Sequence, residues 1–264
     1  MAISSRPGVS EQRAVPIRHG GSPPAEWSGD RQLIRWGGGA GLAGVVSMIG
    51  AVVVVVALGL PDASDPETLT DFADIEPGRI AEHFFYLGAL VLFALHVFVL
   101  HRVLRVAHEA AALFGTVMAG FGYVILAAGS VLHVSTSPLS DLYTDPETPV
   151  EDLPAIEYAW HGAQSIFDTM LATGLLLVPI GMILLGIAMT EAPSFGRRLG
   201  QGAIGLAVVG TIGAVVAIVV PDSDASAASV LVIVLFHGLT GWRTLKIGNE
   251  GLPAITEEEP LPAS

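Results

Sequence analysis

Six continuous apolar runs, at about residues 37–60, 79–104, 110–133, 166–190, 199–220 and 226–245, alternate with short stretches into which Asp, Glu and Arg are gathered. Each run is long enough to cross the roughly 30 Å hydrocarbon layer as a helix rising about 1.5 Å per residue. The runs lack the period-two alternation of transmembrane strands, so helices are predicted and a barrel is not. The expected fold class is all-α, a polytopic six-transmembrane-helix bundle with short outer-surface helices. Residues 1–36, rich in Pro, Gly, Ser and Arg without apolar periodicity, are expected to be a disordered basic cytoplasmic arm. Residues 37–246 form the transmembrane domain, and 247–264 an acidic cytoplasmic tail. The first apolar run exceeds the roughly 7–15-residue core of a secretory signal, so it is expected to be retained as a span.

Composition agrees with lipid as the solvent: 52% of residues are hydrophobic, 14% are charged, and mean hydropathy is +0.63. The net charge of -13 argues against nucleic acid as a partner and against extensive binding to an anionic surface. That sum hides a segregation. Arg6, Arg13, Arg18, Arg31 and Arg35 precede the first run, Arg102 and Arg105 follow the second, Arg197 and Arg198 follow the fourth, and Arg243 and Lys246 follow the sixth. The alternate loops are acidic, with Arg79 the exception. Positive residues are retained on the side of synthesis, which predicts a multi-pass cell-membrane protein with both termini cytoplasmic and an anionic outer surface.

The first two outer loops share an echo, Asp65-Pro66-Glu67-Thr68 and Asp145-Pro146-Glu147-Thr148. Asp before Pro is a helix-start signal, and short helices are expected there. Loops one and three also begin alike, with Pro61-Asp62 and Pro221-Asp222. Small residues recur at helical spacing in three spans: Gly37, Gly41 and Gly44; Gly115, Ala119 and Gly122; Ala203, Ala207, Gly210 and Ala214. Such faces let backbones approach, within the bundle or across a homo- or hetero-oligomer. Pro179 interrupts the fourth span and removes one backbone hydrogen bond.

Ionisable groups in lipid are costly, so their placement carries the functional question. One constellation gathers near the outer face: Glu82 and His83 opening the second span, His133 closing the third, and Glu157, His161 and Asp168 leading into the fourth. Glu157, His161, Gln164 and Asp168 lie at i, i+4, i+7 and i+11 and so share a helix face. Thr116, Tyr123, Ser130 and His133 form a comparable stripe on the third span, and the two stripes are expected to line an outer vestibule. Glu82, His83, His133, His161 and Asp168 are candidate ligands for zinc or another divalent metal, or carriers of protons. Their scatter over three helices and the lack of a tight motif favour the plainer reading of hydrogen-bonded interface residues.

A second constellation is the mid-span pair His96 and His237, on helices running the same way. They could bind a b-type haem axially, or bond to Ser and Tyr across the bundle. Ser229, His237, Thr240 and Thr244 form a stripe on the sixth span, and Glu82 and Tyr86 approach the His96 face on the second. His101 and His108 are read as interfacial anchors. There is no cysteine, so thiolate metal sites, disulfides and a cysteine nucleophile are excluded. No phosphate loop, nucleophile elbow or retinal-type Lys is present, and no catalytic residue is nominated.

The acidic segment before the fourth span, the turn Glu191-Ala192-Pro193-Ser194-Phe195-Gly196-Arg197-Arg198-Leu199-Gly200 and the ending His237-Gly238-Leu239-Thr240-Gly241-Trp242-Arg243 resemble an uncharacterised six-span bacterial and archaeal integral membrane protein family, a domain of unknown function. The resemblance implies the topology and no activity. The leading expectation is a small transporter, sensor or stabilising component handling a cation, proton or small polar ligand at the vestibule. The alternatives are a haem- or metal-binding redox subunit and a structural partner without its own chemistry.

Overall fold

The computed structural model describes residues 25–60, 68–220, 223 and 225–250, of which only the backbone is described for 25–29, 68 and 71. They form seven helices, α1 (Ala25–Leu58), α2 (Thr68–Leu104), α3 (Glu109–Val134), α4 (Ser137–Thr144), α5 (Leu153–Glu191), α6 (Arg197–Val219) and α7 (Ala225–Glu250), with no strand among the described residues. Six segments are long and apolar enough to cross a membrane, each longer than the run that predicts it. Their outward faces carry large apolar side chains such as Val46, Val56, Phe84, Phe98 and Val124. That is the distribution expected where hydrocarbon replaces water.

The long helices close into a ring in chain order. Helix α1 packs on α2, α2 on α3, α3 on α5, α5 on α6, α6 on α7, and α7 returns to α1. The short α4 lies across α2 and α5. It is tied down by Ser137 Oγ donating to Glu76 Oε1 at 2.6 Å and by Ser140 Oγ donating to the Leu69 carbonyl at 2.6 Å. Beneath it, Leu69, Phe72 and Trp160 form a small separate core.

Close backbone approach at glycine holds the ring together. A Cβ added at Gly115 would sit 2.8 Å from the Gly181 carbonyl oxygen, and one at Gly181 would sit 2.5 Å from the Ala119 nitrogen. Gly122 and Gly174 repeat the contact on the same pair of helices seven residues away. The α1 glycines work the same way: Gly37 faces Val99, Gly41 faces His96 and Gly44 faces Phe93, while Gly38 meets the α7 backbone at Leu245. On α6, Gly210 admits Val232 and the Pro179 ring. The three small-residue faces are therefore used inside this chain.

Three expectations on element boundaries need correction. Residues 25–36, predicted to be disordered, are helical in α1, because the Pro, Gly and Ser richness that prompted the prediction belongs mainly to the residues before 25. This stretch is docked: Ile34 is buried, Asp30 pairs with Arg102 at 3.3 Å, and Arg35 Nε donates to the Gly248 carbonyl at 3.1 Å. At its other end the chain stays helical through Glu250, four residues beyond the predicted boundary at 246. Finally, Asp145-Pro146 starts no helix. Asp145 Oδ1 accepts from the Glu147 amide at 2.8 Å in a local turn, and the short helix α4 lies earlier, with Pro138 in its first turn. Asp65-Pro66, Pro61-Asp62 and Pro221-Asp222 fall outside the described residues.

Replacing Gly181 by Val should destabilise the protein by about 2–3 kcal/mol, because the new methyls meet backbone that cannot yield. Gly120, where an added Cβ meets nothing within 4 Å, supplies the control: Gly120→Ala should leave the unfolding midpoint in detergent unchanged or slightly raised. Equal midpoints for Gly181→Val and wild type would refute close approach as the stabilising contact.

Candidate functional site

Helices α2, α3 and α7 bring three polar side chains together where the ring is most apolar. His96 and His237 are fully buried and Tyr123 is nearly so. The Tyr123 hydroxyl lies 2.5 Å from His237 Nε2, and His237 Nδ1 lies 2.8 Å from His96 Nδ1. Phe93 stacks on the His237 ring with centroids 4.0 Å apart, and Gly41 of α1 leaves room for the His96 ring. The far nitrogen, His96 Nε2, is buried with no hydrogen-bond partner among the described residues.

A neutral imidazole carries one N–H and one bare nitrogen, so this row has two self-consistent arrangements. In the first, Tyr123 donates to His237 Nε2, His237 Nδ1–H donates to His96 Nδ1, and His96 bears its proton on Nε2. In the second every bond is reversed. Neither arrangement creates a charge, which is what a polar row surrounded by apolar helices requires.

His96 and His237 were candidate axial ligands for a b-type haem, and the geometry does not fit one. Axial imidazole nitrogens on opposite faces of a metal stand about 4 Å apart for bonds of about 2.0–2.1 Å. Here the facing nitrogens are 2.8 Å apart and bonded to each other, with ring centroids at 5.1 Å, which leaves no slot for a macrocycle. Of the two readings of this pair, bonding across the bundle is the one the geometry accommodates.

Nearer the α4 end lies a second polar group. His83 Nδ1 and Ser130 Oγ are 2.5 Å apart, and the His83 and His133 rings lie side by side with centroids at 5.0 Å. His133 also packs against Phe72 and Phe167. Glu82 accepts from Arg79 at 2.9 Å, and Arg79 is itself buried. Of the five candidate metal ligands, then, the structure brings His83 and His133 together and keeps Glu82 beside them in an ion pair. His161 and Asp168 are exposed on α5, where His161 Nε2 lies 3.8 Å from Glu157 Oε1. Among the described residues no three His, Asp or Glu converge as a metal site requires. From the predicted α5 stripe only Gln164 turns inward, with both amide atoms unpartnered among the described residues.

Between the two groups is a cavity of about 170 Å³ lined by Glu82, His83, Tyr86, Leu126, Gly129, Phe167, Leu171 and Val230. Its α3 wall, Leu126 and Gly129, falls between Tyr123 and Ser130, so it occupies the step from one polar group to the next. From His83 to His96 the path runs about 20 Å along α2, two-thirds of a hydrocarbon layer. Sequence reasoning placed Tyr123 in the outer vestibule and missed it as the partner of His237; Ser130 as the partner of His83 was missed too. The signal available was depth, since Tyr123 lies mid-way along α3.

The fold and these groups define an all-helical bundle with six membrane-length helices and two buried polar groups inside it. No known protein family, curated protein or solved structure matches the chain.

Histidine ¹⁵N spectra should find one of the two facing Nδ1 atoms protonated and the other bare. Tyr123→Phe should shift the His237 Nε2 resonance and destabilise the protein by about 1 kcal/mol. Two bare Nδ1 atoms would show that the hydrogen bond between the rings does not form.

Proposed function

We propose that this chain is a multi-pass cell-membrane protein that passes protons along the internal file of His and Tyr. The row Tyr123, His237 and His96 carries the reading: its members are joined at 2.5 and 2.8 Å, and switching between its two arrangements moves one proton across it. The Tyr123 hydroxyl proton passes to His237 Nε2, the His237 Nδ1 proton passes to His96 Nδ1, and the His96 Nε2 proton leaves to a water, which the relay requires to reach that buried atom from the side away from the cavity. Tyr123 regains a proton from the cavity side, so each group ends neutral and one proton has crossed. Both rings must then turn over before another can follow, and the Phe93 ring stacked on His237 restricts that turn.

The cavity beside Tyr86 and His83 is the inlet, with room for several waters to bridge the gap. Coupling of this proton movement to a transported or sensed solute is the natural extension. In this reading the basic helix ends lie in the cytoplasm, because Arg102 in the last turn of α2, Arg197 and Arg198 opening α6 and Lys246 near the end of α7 share one side of an alternating topology. The resemblance of residues 191–200 and 237–243 to a six-span family adds topology to this reading and no chemistry.

In proteoliposomes carrying a pH dye and a potassium diffusion potential, the wild type should admit protons faster than protein-free vesicles. Tyr123→Phe keeps the shape and removes the relaying oxygen, so it should slow this flux by about tenfold or more. Wild-type flux no greater than that of empty vesicles would defeat the proposal, as would a Tyr123→Phe flux equal to wild type.

A further inference from the structure

On the outward side of α1 and α2, away from the file, lies a two-part groove. Its apolar part, about 550 Å³, is lined by residues such as Leu33, Ala40, Ala43, Leu95 and Phe98, with almost no polar surface. At Trp36 it runs into a second, open hollow of about 620 Å³, lined among the described residues by Arg31, Gln32, Arg35 and Trp36. Trp36 is 71% exposed and stands where the charged and apolar parts meet, the position aromatic residues take at a membrane interface. The nearest carboxylate along α1, Asp30, is already paired with Arg102. Arg31 and Arg35 form no ion pair among the described residues, and Arg35 uses only its Nε on Gly248, which leaves cationic N–H groups for the hollow.

We propose that this groove binds one anionic phospholipid, its phosphate held by Arg31 and Arg35 and one acyl chain lying along the α1–α2 seam. The charge at the mouth selects the headgroup and the apolar walls select a chain over a free anion. From Trp36 to Ala43 the groove follows α1 for about 10 Å, most of the depth of one leaflet. The net charge of -13 does not oppose this, since at a Debye length of about 8 Å a lipid phosphate responds to the two arginines beside it. The proposal depends on the helices crossing a bilayer and is independent of proton movement.

The test uses the full chain in a neutral detergent, with thermal unfolding followed on adding phosphatidylglycerol, phosphatidylcholine with the same acyl chains, or soluble glycerol phosphate. Phosphatidylglycerol should raise the midpoint and bind about tenfold more tightly than phosphatidylcholine, as two basic residues at headgroup depth imply. Glycerol phosphate should leave the midpoint unchanged. The Arg31→Gln/Arg35→Gln variant should lose the preference between the two lipids. Gly39→Leu should fill the groove and remove the phosphatidylglycerol effect while unfolding like wild type without lipid, since a Cβ at Gly39 meets nothing within 4 Å. Equal stabilisation by both lipids, an equal effect of glycerol phosphate, or an undiminished preference in the double-arginine variant would each overturn the proposal. Retained phosphatidylglycerol counted by native mass spectrometry gives a second reading of every variant, including any that unfolds early.

Discussion

Hydrocarbon solvates a leucine as well as a neighbouring helix does, so helices in a bilayer gain little by hiding apolar surface from it. What remains is dispersion at short range, and that requires backbones to come close. The α3/α5 seam meets the requirement with Gly115, Gly122, Gly174 and Gly181, and the α1 seams meet it with Gly37, Gly38, Gly41 and Gly44. The ring order of the helices follows from these contacts. Each neighbouring pair is antiparallel, and each joins consecutive long helices except the pair that closes the ring, α1 against α7.

The close approach also makes the polar row tolerable. Gly41 leaves space for His96, and Phe93 lies flat on His237. With α1, α2, α3 and α7 crowded around them, the two imidazoles and Tyr123 find one another instead of water. A polar group buried without a partner costs on the order of 1–3 kcal/mol, and direct bonding avoids most of that cost. The residual cost sits at His96 Nε2, the one ring nitrogen of the pair without a bond among the described residues.

Hydropathy made the six helices legible, because each span is a continuous apolar run whose length is set by the bilayer. It could not mark where helices end outside that layer, and so α1 begins earlier and α7 ends later than the apolar runs suggest. Depth and direction along a span, which can be counted, brought His96 and His237 together as a candidate pair. The polar stripe Thr116, Tyr123, Ser130 and His133 marked the inward face of α3, and all four are buried; which member meets His237 depended on depth, which assigning the whole stripe to one vestibule overlooked. The α5 stripe failed for a related reason. Glu157, His161 and Asp168 share a face with Gln164 on paper, but the tight glycine seam with α3 turns only Gln164 toward the interior.

Closure of the ring by its first and last helices has a consequence for biosynthesis. Until α7 leaves the ribosome, His96 and Tyr123 have no His237 between them, and the glycines of α1 that receive Leu245 and Gly241 face an open flank. The nascent chain therefore holds two partnerless polar side chains among its apolar helices while α4 to α6 are made. A translocation machine that shelters this cleft, or a quality-control protease that reads it, would distinguish a finished molecule from an unfinished one by whether that gap has been sealed.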